Sequence, residues 1–173
     1  MEIYDKRIFL TGHNGMVGSA CLKKLKIQGF KNVITVERTA LDLRDYSQVY
    51  KFLKNEKPEI IVNAAAVVGG ILANDSYPYD FLMDNMRIQN SLIDSANQLN
   101  ISKFIFLGSS CIYPKYSNQP IREEYLLSSS LEPTNQWYAL AKISGLKAIE
   151  AANIQYSRRY LSLMPTNLYG PND

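Results

Sequence analysis

The sequence predicts an α/β fold with a doubly wound parallel sheet, and three observations support this prediction. Short apolar runs recur along the chain with little polar alternation, as expected for strands that are covered on both faces. The runs are separated by segments in which apolar residues recur with the period of an α-helix. A glycine-rich segment joins the first run to the first helical pattern, and the repeated strand–helix order with right-handed crossovers builds such a sheet.

Five apolar runs are predicted to be strands. Most of their residues are β-branched, aromatic or otherwise apolar, and the runs are short enough for buried strands. They are "RIFLTG" ending at Gly12, "NVITVE" at residues 32–37, "EIIVNAAA" from Glu59, "KFIFLG" from Lys103 and "YLSLMP" from Tyr160.

Four helical patterns fill the gaps between the strands. The first follows Gly15, places Val17, Cys21 and Leu25 on one stripe, and ends near Gly29. The others are predicted at residues 46–55, 80–99 and 136–156.

One long connection, residues 113–135, carries no strong periodicity. Irregular segments of this length are uncommon inside a compact domain and are often functional. A functional loop and a surface excursion with a short helix near residues 123–127 are both compatible with the sequence.

Composition indicates one ordinary globular domain covering residues 1–173. Apolar residues make up 46% and charged residues 20%, the net charge is only +3, and no block of Lys or Arg occurs, so no nucleic-acid partner is predicted. No segment resembles a signal peptide or the ~20-residue apolar run of a membrane span. Cys21 and Cys111 lie far apart, which favours free thiols in a reducing compartment. We predict a cytoplasmic protein without a membrane partner or a metal site.

The segment "FLTGHNGMVGSA" predicts a dinucleotide-binding loop. Gly12, Gly15 and Gly18 follow the first strand and open the first helix. Glycines at this spacing allow a tight turn and let backbone N–H groups approach a pyrophosphate at the positive end of the helix. A plain turn is the weaker interpretation, because these glycines follow a strand and open a helix. We therefore predict a Rossmann-type NAD(P)-binding domain.

The end of the second strand predicts the cofactor preference. An acidic residue there selects the ribose 2′-hydroxyl of NAD, whereas an arginine accommodates the 2′-phosphate of NADP. Glu37 and Arg38 are adjacent, and Arg38 followed by Thr39 favours NADP(H). The alternative is a solvated Glu37–Arg38 pair. Asp42 and Leu43 are expected to flank the adenine.

The segment "YALAK" places Tyr138 and Lys142 four residues apart, on one face of a predicted helix. A nearby ammonium favours the phenolate, which would bring the pKa of the tyrosine closer to neutral pH, where the residue could exchange a proton. Ser109 lies at the carboxyl end of the fourth strand, the edge at which open parallel sheets bind ligands. This serine is expected to hydrogen-bond a substrate carbonyl.

Ser109, Tyr138 and Lys142 resemble the catalytic set of the extended short-chain dehydrogenase/reductase superfamily, in its sugar-nucleotide branch. Within that branch the chain is similar to the GDP-L-fucose synthase family over its whole length. The segments that carry this resemblance are "GHNGMVGSA", "NAAAVVGGILAN", "YPYDFLMDNM", "LGSSCIYPK", "LEPTNQWYALAKISG" and "MPTNLYGPND".

The resemblance implies a reaction and the roles of four catalytic residues. GDP-4-keto-6-deoxy-D-mannose would be inverted at the two carbons beside its ketone and then reduced with NADPH. Cys111 would be the base for the inversions, while Ser109 holds the ketone oxygen. Tyr138 would protonate the developing alkoxide, and Lys142 would support the nicotinamide ribose.

The resemblance also implies the cofactor lining, a substrate border and a homodimer. The dimer would form through the predicted helices 80–99 and 136–156, and the substrate would border residues 68–71 and 74–77. The cofactor would be lined by Gly12, His13, Asn14, Gly15, Met16, Val17, Gly18, Arg38, Asp42, Leu43, Leu107, Gly108, Ser109, Ser110, Tyr138, Lys142, Pro165, Thr166, Asn167 and Leu168.

The chain departs from the family in sequence and in length. Asn14 stands where a basic residue is common, and Gln136 and Trp137 replace the usual residues before the tyrosine. The family runs to about twice the length of a single domain, so its substrate-binding C-terminal region and its histidine acid are expected to be largely missing here. Two alternatives stay open: another NAD(P)-dependent nucleotide-sugar epimerase or dehydratase, and a non-catalytic nucleotide-binding relative.

Overall fold

The five predicted strands form one parallel sheet in the computed structural model, which describes residues 3–171 and, for Ile71, the backbone only. The strand order is β2-β1-β3-β4-β5, and every neighbouring pair is parallel. The strands are β1 at Arg7–Thr11, β2 at Asn32–Ile34, β3 at Ile60–Asn63, β4 at Lys103–Leu107 and β5 at Leu161–Leu163.

Within residues 3–171, the sheet is accompanied by five α-helices. Helix α1 packs against β1 and β2, whereas α4 packs between α2 and α5. Because right-handed crossovers to opposite sides of β1 place their helices on opposite faces, the sheet is doubly wound, as predicted. The helices are α1 at Met16–Ile27, α2 at Tyr46–Glu56, α3 at Ile71–Ser76, α4 at Pro78–Gln98 and α5 at Gln136–Tyr156.

Several boundaries differ from the predictions. Strand β2 ends at Ile34 rather than at residue 37, because this edge strand pairs with β1 over three residues only. Helix α4 begins at Pro78, where the fixed φ of proline suits the first helical turn. The connection at 113–135 contains the short 3₁₀ turns Glu123–Tyr125 and Pro133–Asn135.

The core lies between the sheet and the layer of α2, α4 and α5. Phe9, Phe104 and Phe106 of the central strands are fully buried, as is Leu92 of α4. Burying one such side chain contributes roughly 1.5–3 kcal/mol, so these contacts fix the strands on which the site is built. Within residues 3–171, no helix combines the length and apolar character that crossing a bilayer requires.

Candidate active site

A cavity of about 940 Å³ opens at the carboxyl edge of the sheet. The loops after all five strands contribute to it, including those after β1 and β3, between which the chain order reverses. Open α/β sheets bind their ligands at this point. Every predicted cofactor residue except Ser110 lines this cavity: residues 12–18, Arg38, Asp42, Leu43, residues 107–109, Tyr138, Lys142 and residues 165–168.

The glycine loop between β1 and α1 is tightly packed against its neighbours. Gly12 has a φ of +68°, and a Cβ there would lie 2.7 Å from the carbonyl carbon of Ala64. A Cβ on Gly18 would overlap the carbonyl oxygen of Gly12. Gly15 is the N-cap of α1 and has no side chain to cap the first turn, so the helix N–H groups are open to an anion. The loop therefore fits a dinucleotide pyrophosphate.

Glu37 contacts the glycine loop rather than its neighbour Arg38. Its carboxylate accepts a hydrogen bond from Asn14 Nδ2 at 2.9 Å and lies 3.2 Å from His13 Nε2. Among the residues that the structure describes, no carboxylate forms a salt bridge with Arg38, which is exposed and lines the cavity. Glu37 and Arg38 do not form a salt bridge with each other, but both are exposed, so their interpretation as solvated charges stays a prediction.

Asp42 lines the cavity in the loop after β2 and is held by Arg44. The guanidinium Nε and Nη2 of Arg44 contact both carboxylate oxygens of Asp42 at 2.9–3.2 Å, while Nη1 reaches Asp84 of α4 at 2.9 Å. The hydrogen bonds from Arg44 lower the pKa of Asp42 to about 2. Arg44 was not predicted to be a site residue, although its position between Asp42 and Asp45 suggests an ion pair.

The predicted catalytic residues meet where β4 ends against α5. Ser109 has an extended backbone and caps the 3₁₀ turn Ser110–Ile112, so its Oγ accepts the backbone N–H of Cys111 at 3.4 Å. Tyr138 and Lys142 lie one turn apart in α5, which packs against this 3₁₀ turn. Lys142 Nζ donates to the carbonyl of Leu107 at 2.8 Å and thereby ties α5 to the strand end.

Burial dominates the proton affinities of Tyr138 and Lys142. Lys142 is 4% exposed, and burial lowers its pKa to about 8, with the Cys111 thiolate acting in the opposite direction. Burial and, secondarily, the charge of Cys111 raise the pKa of Tyr138. We expected the ammonium to lower the pKa of the phenol, and this expectation is wrong, because burial raises that pKa. Lys142 Nζ is 5.6 Å from the ring centre and is turned to Leu107.

Cys111 is half-buried among polar groups. Burial raises the pKa of its thiol, while hydrogen bonds from Ser109 and Asn135 and the charge of Lys142 act to lower it. These partners place the sulfur near Ser109, Tyr138 and Lys142, since Cys111 in turn shifts the pKa of Tyr138 and of Lys142. A thiol in this setting can exchange a proton with a ligand carbon.

Some residues at the cavity differ from the sequence analysis. Ser110 lies in the 3₁₀ turn and does not line the cavity. The loop after β3 does line it, including residues 64–70, of which only the last three were expected near a ligand. A small-residue run following a strand at the reversal point was the signal for this loop. Residues 74–77 lie outside the cavity lining, and Asn74 is buried against the carbonyls of Gly69 and Gly70.

Curated proteins are similar to this chain in sequence. "GDP-L-fucose synthase 1" from Arabidopsis thaliana is 52% identical over 173 residues, which are 100% of this chain and 54% of that protein. "GDP-L-fucose synthase" from Escherichia coli is 49% identical and covers 97% of this chain and 52% of its own length. This chain thus spans about half the length of the curated relatives it matches.

A solved structure extends the similarity to the fold. MlghC, described as a GDP-mannoheptose C4 reductase from Campylobacter jejuni with NADP bound, is 36% identical with a TM-score of 0.94, covering 98% of this chain and 54% of that one. Residues 8–173 match the NAD dependent epimerase/dehydratase family. With the glycine loop at the reversal point of the sheet, this match shows that the chain belongs to the NAD dependent epimerase/dehydratase family.

Proposed function

We propose that the chain acts in the NADPH-dependent 3,5-epimerisation and 4-reduction of GDP-4-keto-6-deoxy-D-mannose to GDP-L-fucose. Residues 1–173 would form its NADP-binding Rossmann domain and carry the catalytic set. The observation that carries this proposal is the cluster of Ser109, Cys111, Tyr138 and Lys142 at the end of β4, of which all but Cys111 line the cavity that the glycine loop also lines. The similarity to GDP-L-fucose synthases along the whole chain supports it.

NADP(H) fits the residues that line the cavity. The glycine loop would hold the pyrophosphate, and the exposed Arg38 would meet the 2′-phosphate. Lys142 would bind the nicotinamide ribose, with residues 165–168 along that end of the cavity. When bound, NADPH supplies the hydride that reduces the ketone.

Cys111 and Ser109 would carry out the proton transfers of epimerisation. The Ser109 hydroxyl would donate a hydrogen bond to the ketone oxygen. The Cys111 thiolate would take the proton from the adjacent carbon, and the C–H electron pair would move into an enolate stabilised at that oxygen. A water molecule on the opposite face would donate a proton to the carbon and invert it, and the Cys111 thiol would give its proton to the resulting hydroxide. Burial raises the pKa of the thiol, which makes the thiolate a stronger base once it forms.

Tyr138 would complete the reduction by donating its phenolic proton to the ketone oxygen as that oxygen becomes an alkoxide. The raised pKa of this tyrosine keeps the phenol protonated at neutral pH, the form that a proton donor needs. Lys142, bound to the carbonyl of Leu107, would fix the distance between α5 and the cofactor.

The direct test supplies the purified chain with NADPH and GDP-4-keto-6-deoxy-D-mannose. We expect oxidation of NADPH that depends on the sugar nucleotide, with GDP-L-fucose as the product. NAD retained tightly by the purified protein would instead favour a 4-epimerase or dehydratase. NADPH binding without any turnover would favour a nucleotide-binding module without catalysis.

We also propose a cytoplasmic homodimer. Both cysteines are free, which suits a reducing compartment. Helix α5 exposes Trp137 and Leu140, at 38% and 39% of their surface, and apolar side chains such as these are suited to an interface. The dimer would form through the outer faces of α4 and α5.

A further inference from the structure

Glu37 connects two loops at the adenosine end of the cavity. It follows β2, whereas its partners Asn14 and His13 lie in the loop between β1 and α1. The Glu37 side chain is 62% exposed, so packing alone does not fix its direction. Its two carboxylate oxygens are held by Asn14 Nδ2 at 2.9 Å and by His13 Nε2 at 3.2 Å.

The direction of this carboxylate matters because of its neighbour. Arg38 lines the same cavity and, within residues 3–171, forms no salt bridge, although its charge helps to lower the pKa of Asp42. A free glutamate one residue away could pair with this guanidinium, or accept a hydrogen bond from a ribose 2′-hydroxyl. Pairing with Arg38 would cancel the positive charge that attracts a 2′-phosphate. A carboxylate at the ribose would repel the phosphate, since two negative groups repel each other at close range.

We propose that Asn14 is a specificity-determining residue that acts through Glu37. By holding the carboxylate against the glycine loop, Asn14 leaves Arg38 free to pair with a 2′-phosphate and withholds the acidic group that would select a 2′-hydroxyl. Asn14 is a neutral donor, so it positions the carboxylate without cancelling its charge. This inference rests on the proposed use of NADP(H).

Two adenosine fragments isolate the effect from catalysis. Adenosine 2′,5′-bisphosphate carries the 2′-phosphate, whereas AMP carries the 2′-hydroxyl. Calorimetry gives the ratio of the dissociation constant for AMP to that for the bisphosphate in the wild-type chain, Asn14→Ala, Glu37→Gln and the double variant. We expect Asn14→Ala to lower this ratio about fivefold or more, the size of an exposed charge interaction. In the Glu37→Gln background, the same substitution should leave the ratio unchanged.

The control is Asn32→Ala. Asn32 is the first residue of β2, the strand that precedes Glu37. Its amide donates to the carbonyl of Asp5, and Asn32 does not line the cavity, so this variant should keep the wild-type ratio. An equal effect of Asn14→Ala in both backgrounds would overturn the inference, because Asn14 would then contact the phosphate directly. No effect in either background would overturn it as well. A wild-type chain without any preference for the bisphosphate would contradict the proposed cofactor itself.

Discussion

Among the site residues that the structure describes, Lys142 is the only buried side chain that carries a charge. Its buried environment changes its affinity for protons. The pKa falls from an ordinary 10.5 to about 8 because burial removes water from the ammonium. A single hydrogen bond to the carbonyl of Leu107 compensates in part. The same residue that supports the proposed cofactor therefore makes the protein less stable at neutral pH.

The desolvation of the Lys142 ammonium predicts that the stability of the protein depends on pH. Because the folded pKa of Lys142 lies below the unfolded value, the unfolded state binds more protons between about pH 8 and 10.5, and stability rises with pH in that window. Relative to Lys142→Met, the free energy of unfolding of the wild type should rise by about 2 kcal/mol between pH 7 and pH 9.5. Urea titrations at both pH values measure the difference. A constant difference between the two proteins would refute the shifted pKa.

A substitution at Tyr138 tests whether its phenolic proton is transferred during the reduction. Tyr138→Phe removes the phenolic hydroxyl but keeps the ring, so we expect reduction of the sugar nucleotide to fall by roughly 10²–10⁴-fold. NADPH affinity should stay near the wild-type value, because the ring still lines the cavity. Single-turnover oxidation of NADPH and a fluorescence titration measure the two quantities. Equal losses in both would indicate a structural role.

The β1–α1 unit shows how an element's packing depends on one missing side chain. Gly18 lies in the first turn of α1 directly over the carbonyl of Gly12. Gly18→Ala should force the helix away from the loop and destabilise the chain by about 1–3 kcal/mol or more, with loss of NADPH binding. Gly70→Ala is the matched control for stability, since its Cβ would meet nothing within 4 Å. Equal denaturation midpoints for the two variants would contradict this account of the loop.

The strands and the long helices could be predicted from the sequence, whereas the short helix α3 and the end of β2 could not. The apolar runs of the five strands and the periodicity of α4 and α5 identified the sheet and both long helices. Helix α3 spans six residues, too few for a periodic pattern to stand out. The end of β2 depends on how far β1 extends beside it, which is a property of the sheet and not of the run itself.

The catalytic set could be predicted because its residues stand at fixed spacing or at a strand end, as Tyr138, Lys142 and Ser109 do. The partners of Glu37 could not be predicted, because its contact with Asn14 joins segments 23 residues apart. The dominance of burial over the ammonium at Tyr138 also required the structure. Desolvation depends on the packing of α5 against the end of β4, which spacing alone does not reveal.

The surface of the whole molecule predicts how copies would associate. In the proposed homodimer, the outer face of α5 is buried, so Leu140→Glu should place a charge in the interface and shift the protein to monomers. Leu72→Glu is the control, because Leu72 is 80% exposed in α3, outside the proposed interface. Sedimentation velocity separates the two states. A wild-type monomer, or a dimer that Leu140→Glu leaves intact, would contradict this arrangement.

The central claim for the molecule is that the end of β4 brings a thiol base beside a ketone-binding serine and a proton-donating tyrosine. Solvent-deuterium exchange at the carbons beside the ketone of GDP-4-keto-6-deoxy-D-mannose tests this claim most directly, with Cys111→Ser compared with the wild-type chain. We predict that the variant loses exchange by about 10²-fold or more and loses much less of the hydride-transfer rate. Exchange that continues at the wild-type rate in Cys111→Ser would contradict the account.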